Sequence, residues 1–222
     1  MNTKFTLITF FLIIITFSCE QKTTFTDFKF ADKGTVVECE NNNLKALINE
    51  ALFSFESDII KAYGKGRTNL NLPYSQFIRN AVGGRINYSE IVTPHTVKVF
   101  EALKQENSLW DANNKESYLN YNSSFFKCVA NNIKSENLKT TLNALVSTNT
   151  MSPKLFGSPL MSNYSAALSD KHLATYIAFD LYYAKLFNID LTGVEEKPES
   201  KVDFNQIPTI QQDTDPHAGH NH

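Results

Sequence analysis

Residues 42–63 carry the pattern that most constrains this chain. Leu44, Leu47, Ile48, Ala51, Leu52, Phe55, Ile59, Ile60 and Tyr63 recur at three- and four-residue spacing. That period lines one face of a single α-helix and does not fit the alternation of a half-buried strand. Asn41–Asn43 offer an N-cap, and Gly64 and Gly66 stop the helix. The same period returns five times. It follows Pro73, through Phe77 and Ile78 to Val82. It starts again at Thr93, with Pro94 at the first helical position and Val97, Phe100 and Leu103 on one face. A fourth helix is expected over about 115–133 and a fifth after Ser135. The last starts after Ser169 and runs to about Asn188, with Leu173, Ile177, Leu181 and Ala184 as an inner row. Tyr176, Phe179, Tyr182, Tyr183 and Phe187 surround that row, so this helix belongs at the centre of the core. Residues 149–163, with Pro153, Gly157 and Pro159, read as an ordered loop with room for one helical turn. The expected fold class is therefore all-α: a single globular domain of five to seven helices over residues 41–190.

Composition supports a packed interior. Hydrophobic residues make up 42% of the chain, with 17 Phe and 9 Tyr, ample for one core. Charge is uneven. Residues 19–189 carry a net +2, whereas residues 190–222 carry −5. A nearly neutral body has no basic field with which to neutralise phosphates, so no nucleic acid partner is expected. Beyond Leu191, proline, acids and glutamine dominate, and residues 191–222 read as a disordered acidic tail. The many asparagines read first as a bias of base composition.

The chain opens with Lys4, an uncharged and largely apolar run from Phe5 to Phe17, then Ser18 and Cys19. This is the order of a secretory signal. Thirteen residues span about 20 Å as a helix, short of the ~30 Å hydrocarbon core. The junction at Ser18-Cys19 resembles the lipobox of bacterial lipoproteins. Thr16 stands where that family usually has Leu, and Phe17 is bulky. The resemblance implies a signal peptide over 1–18, an acyl (palmitate-type) anchor on Cys19 and a tether over 19–40. It places the chain in the bacterial cell envelope, held to a membrane by lipid. A plain cleaved signal is the alternative. If Cys19 carries lipid, Cys39 and Cys128 remain as an even pair in an oxidising compartment. They are either a disulfide or two separate buried thiols. No C-x-x-C occurs.

Two clusters could carry chemistry. His217, His220 and His222 crowd the last six residues, where neutral imidazoles could hold a weakly bound transition metal such as copper, zinc or nickel. All three arginines, Arg67, Arg79 and Arg85, fall within nineteen residues that also hold Gly83 and Gly84, with Gly64 and Gly66 just before them. Their guanidinium forks suit an anionic ligand. The bland alternative pairs them with surface acids such as Glu56, Asp58 and Glu90. His95 and His172 sit in first helical turns without sequence partners and read as surface histidines. His-Glu-x-x-His, Gly-x-Ser-x-Gly and the phosphate-binding Gly-x-x-x-x-Gly-Lys-Ser/Thr pattern are all absent. The expected function is a non-enzymatic binding or interaction module with no required cofactor. Its partner would be an envelope protein or a small ligand. Metal handling by the tail and an enzyme built on the arginines are the alternatives.

Overall fold

The computed structural model describes residues 24–196 except Lys115. The fold is all-helical in one domain. Its helices are α1 (Asn42–Tyr63), α2 (Asn71–Val82), α3 (Tyr88–Ile91), α4 (Pro94–Lys104), α5 (Ser124–Asn131), α6 (Glu136–Ser147) and α7 (Pro153–Ser162). The last, α8, is α-helical over Lys171–Tyr176, π-helical over Ile177–Tyr183 and α-helical again over Ala184–Leu186. Helix α1 packs against α2 and α4. The π segment lies on α1 and α2, and α5 packs on the start of α8. All seven residues of the π segment are buried, as the apolar surround of this helix requires.

Three departures from the sequence reading have local causes. The expected helix over 115–133 begins only at Ser124. Upstream, side chains take the backbone amides that a helix would need. Asn114 Oδ1 accepts from Glu116 N and Ser117 N (3.2 Å each), Ser117 Oγ from Leu119 N (3.2 Å), and Asn120 Oδ1 from Asn122 N (3.0 Å). Such local bonds compete with the helical ladder. Ser123 then caps α5, its Oγ accepting from Phe126 N at 3.0 Å.

The expected loop over 149–163 is instead largely helix α7. Ser152 Oγ accepts from Leu155 N at 3.2 Å, and Pro153 follows at the first position, a combination that starts helices well. Gly157 lets α7 approach α2, since a Cβ there would lie 2.5 Å from Val82 Cγ1. The third departure is the π segment, where regular helix was expected.

The described part of the expected tether is docked on the body. Val37 is fully buried. The backbone at Val36 and Val37 pairs with a side chain and not with a strand. Asn49 Oδ1 accepts from Val36 N (2.8 Å) and Val37 N (3.1 Å), while Asn49 Nδ2 donates to Val37 O (2.8 Å). Cys39 and Cys128 form a disulfide with a Cα–Cα distance of 5.5 Å and a sequence separation of 89. It fixes the end of this strap to α5 and contributes about 4–5 kcal/mol in the chain-entropy account. At the other end, Leu191 and Val194 pack against the core, and Glu196 Oε1 takes Lys61 Nζ at 3.0 Å.

Candidate functional site

The interior holds several carboxylates, each with structural partners. Glu50 on α1 is 2% exposed. It accepts from Lys29 N (2.8 Å) and Phe30 N (3.1 Å), and its Oε1 lies 2.6 Å from His95 Nε2. His95 is therefore a buried clamp residue rather than the surface histidine its position suggested. Its ring sits near Phe25 and Phe30. Glu56 accepts from Tyr74 OH (2.9 Å) and Lys171 Nζ (2.6 Å). Asp58 accepts from Thr96 Oγ1 and Tyr182 OH, both at 2.6 Å. Burial raises its carboxyl to about 6, against the pull of those two hydroxyls. Glu56 and Asp58 are thus taken by tyrosine, lysine and threonine, and not by the arginines. Asp170 caps α8, accepting from His172 N and Leu173 N (3.1 Å each). Burial pulls the His172 imidazole below its ordinary value.

A polar cavity lies elsewhere, between the irregular segment before α5 and the end of α6. Its volume is about 270 Å³. Asp111, Asn113, Asn114 and Asn122 come from the segment, and Asn149 from the α6 terminus. Glu116 adds a second carboxylate, and Tyr121, Val146 and Met151 supply ring, isopropyl and thioether surface. Among the described residues of this lining there is no lysine or arginine.

The fold holds these walls from behind. Asp111 N donates to Tyr118 O at 2.7 Å, and Asp111 Oδ1 accepts from Asn113 N at 2.9 Å. Asn114 Nδ2 donates to Leu119 O at 2.9 Å. Asn149 takes a left-handed φ of 55°. That conformation closes α6, with Thr150 N donating to Leu145 O at 2.9 Å, and it carries Asn149 to the cavity wall. Tyr121 OH donates to Asp180 Oδ1, and Tyr176 OH to Asp180 Oδ2, both at 2.8 Å. Burial raises both the Asp180 carboxyl and the Tyr121 phenol. Tyr121 therefore stays a protonated donor, anchored on the π segment. Preformed walls of this kind lower the ordering cost of binding.

The residues singled out from sequence fall differently. Arg67, Arg79 and Arg85 are all exposed. Arg85 Nη2 reaches back to Arg79 O and Asn80 Oδ1 at 3.4 Å, across the end of α2. None of the three lines this cavity or the 220 Å³ groove beside Phe25 and Leu44. Cys19 and His217, His220 and His222 lie outside the described residues. Among the described residues no group of three or more His, Cys, Asp or Glu could hold a metal, and no helix is long and apolar enough to cross a membrane. Sequence reasoning missed the cavity. Its signal was the density of asparagine over 113–122, which had been ascribed to base composition. No family model, no curated protein and no solved structure matches this chain.

Proposed function

We propose that this chain is an exported lipoprotein of the bacterial cell envelope, anchored through Cys19 and acting as a binding module. The observation that carries the reading is the cysteine arithmetic. Cys39 and Cys128 are joined, and disulfides form and persist in oxidising compartments. The third cysteine stands at the junction of a secretory-type signal. The body then offers a preformed polar cavity on a rigid frame, while its buried carboxylates are engaged in holding helices together. That division suits recognition.

The test is mass spectrometry of the mature N-terminus, together with metabolic labelling by a clickable fatty acid. A mature chain beginning at Cys19 with added acyl mass is expected, and Cys19→Ala abolishes the label. An unmodified N-terminus downstream of Cys19 would make this a plainly secreted protein.

A further inference from the structure

We infer that the 270 Å³ cavity between the 111–122 segment and the α6 terminus binds a neutral sugar residue of a glycan. This deepens the binding-module reading and rests on it. The argument begins with which polar groups the fold uses. Asn114 is engaged on both halves of its amide: its Oδ1 accepts from Glu116 N and Ser117 N, and its Nδ2 donates to Leu119 O. Tyr121 is committed through its hydroxyl to Asp180. Asn113, Asn122 and Asn149 differ. All three are exposed. Among the described residues, only their backbone amides appear in hydrogen bonds. The cavity therefore presents three carboxamides whose oxygens and NH2 groups remain available.

That chemistry discriminates between ligands. Each carboxamide offers two donors and one acceptor oxygen. Sugar hydroxyls likewise donate and accept, so both halves of each amide find partners. A bare cation would use the amide oxygens with the Asp111 and Glu116 carboxylates and leave the three NH2 groups without a partner in the cavity. An anion would face Asp111 and Glu116 with no cationic partner among the described lining residues. A purely apolar ligand would leave the amides unsatisfied. Tyr121, Val146 and Met151 add an apolar flank for the C–H face of a sugar ring. The volume corresponds to roughly nine waters, counting about 30 Å³ each, which is the scale of one sugar ring. The open mouth leaves room for a longer glycan to continue outward.

The test uses the full mature chain in detergent, titrated with free glucose, galactose, mannose, N-acetylglucosamine and galacturonate. Saturation-transfer NMR and calorimetry read the binding. Saturable binding of at least one neutral sugar is expected at millimolar ligand, with galacturonate weaker than galactose. Asn113→Ala and Asn149→Gly should each weaken the neutral sugar about fivefold, the loss of one net hydrogen bond, with unchanged circular dichroism. No binding by any neutral sugar, binding untouched by both variants, or galacturonate equal to galactose would each overturn the assignment. The N-terminal mass of the same sample reports anchoring separately. A lipid-bearing chain that ignores all the neutral sugars therefore defeats the sugar assignment and leaves the lipoprotein reading standing.

Discussion

Glu50, Asp58 and Asp180 lie inside the helical body, whereas Asp111 and Glu116 stand at an open cavity. The fold treats the two sets in opposite ways. The interior carboxylates are 0–2% exposed, and each gathers at least two hydrogen bonds, from backbone amides, hydroxyls or an imidazole. Such groups must be satisfied, because an unpaired buried charge costs several kcal/mol. Around the cavity, by contrast, backbone bonds fix the wall while Asn113, Asn122 and Asn149 keep their amide groups available. Polar residues inside this protein hold its parts together, and those at the cavity are left to meet something else. Substitutions should separate the two classes.

The largest effect belongs to the interior. Glu50→Ala removes the acceptor from Lys29 N, Phe30 N and His95 Nε2 together. A loss of about 3 kcal/mol or more is expected. The damage should start locally. Amide exchange at Lys29 and Phe30 should accelerate before that of α8, because the strap is attached there by side chains rather than by a regular ladder. Uniform acceleration across all helices would show that the strap and the body unfold as one unit.

This interior also marks the limit of what the sequence disclosed. Leu47, Ile48, Leu52, Phe55 and Ile59 announced α1, and its observed bounds match the periodicity. Glu50, Glu56 and Asp58 sit on that same helix between the apolar positions, and nothing in the spacing said that they too are buried. Their burial depends on His95, Tyr74, Lys171, Thr96 and Tyr182, which are distant in sequence. Likewise, Tyr118 and Leu119 have helical spacing relative to Phe125 and Phe126. The amides they would have used were taken by Asn114 and Ser117. Periodicity reports burial of apolar groups; it does not report competition for hydrogen bonds. The π segment was illegible for a related reason: its seven residues read as ordinary helix, and its register serves partners such as Tyr88, whose hydroxyl donates to Leu181 O at 2.7 Å.

A smaller effect comes from Asp58. Burial raises its folded value to about 6 from an ordinary 3.8. The ionised form is thus disfavoured inside the fold, by about 3 kcal/mol at pH 7. The sign follows directly. Between those two values the folded state binds the proton and the unfolded state does not, so this group adds stability as pH falls through 6. From pH 7 to pH 5 the gain is about 1 kcal/mol. Urea midpoints at the two pH values, for the natural chain and for Asp58→Asn, isolate it. The variant should lose that increment. An identical pH dependence in both would mean that Asp58 does not titrate in this range.

The smallest stability change, and the sharpest contrast with Glu50, is expected at Asn149. Its φ of 55° is a left-handed conformation that costs an L-residue about 1 kcal/mol and glycine almost nothing. Asn149→Gly keeps the closure of α6, because the bonds there run from Asn149 N to Val146 O and from Thr150 N to Leu145 O. Thermal unfolding should therefore be unchanged or slightly raised, while sugar binding weakens. Asparagine is among the few side chains that tolerate this conformation, so a cap alone would accept it. A role confined to the cap predicts that glycine is neutral or better in every assay. A fall in melting temperature would instead place the carboxamide among the groups that hold the fold, and the contrast between interior and cavity would fail at that residue.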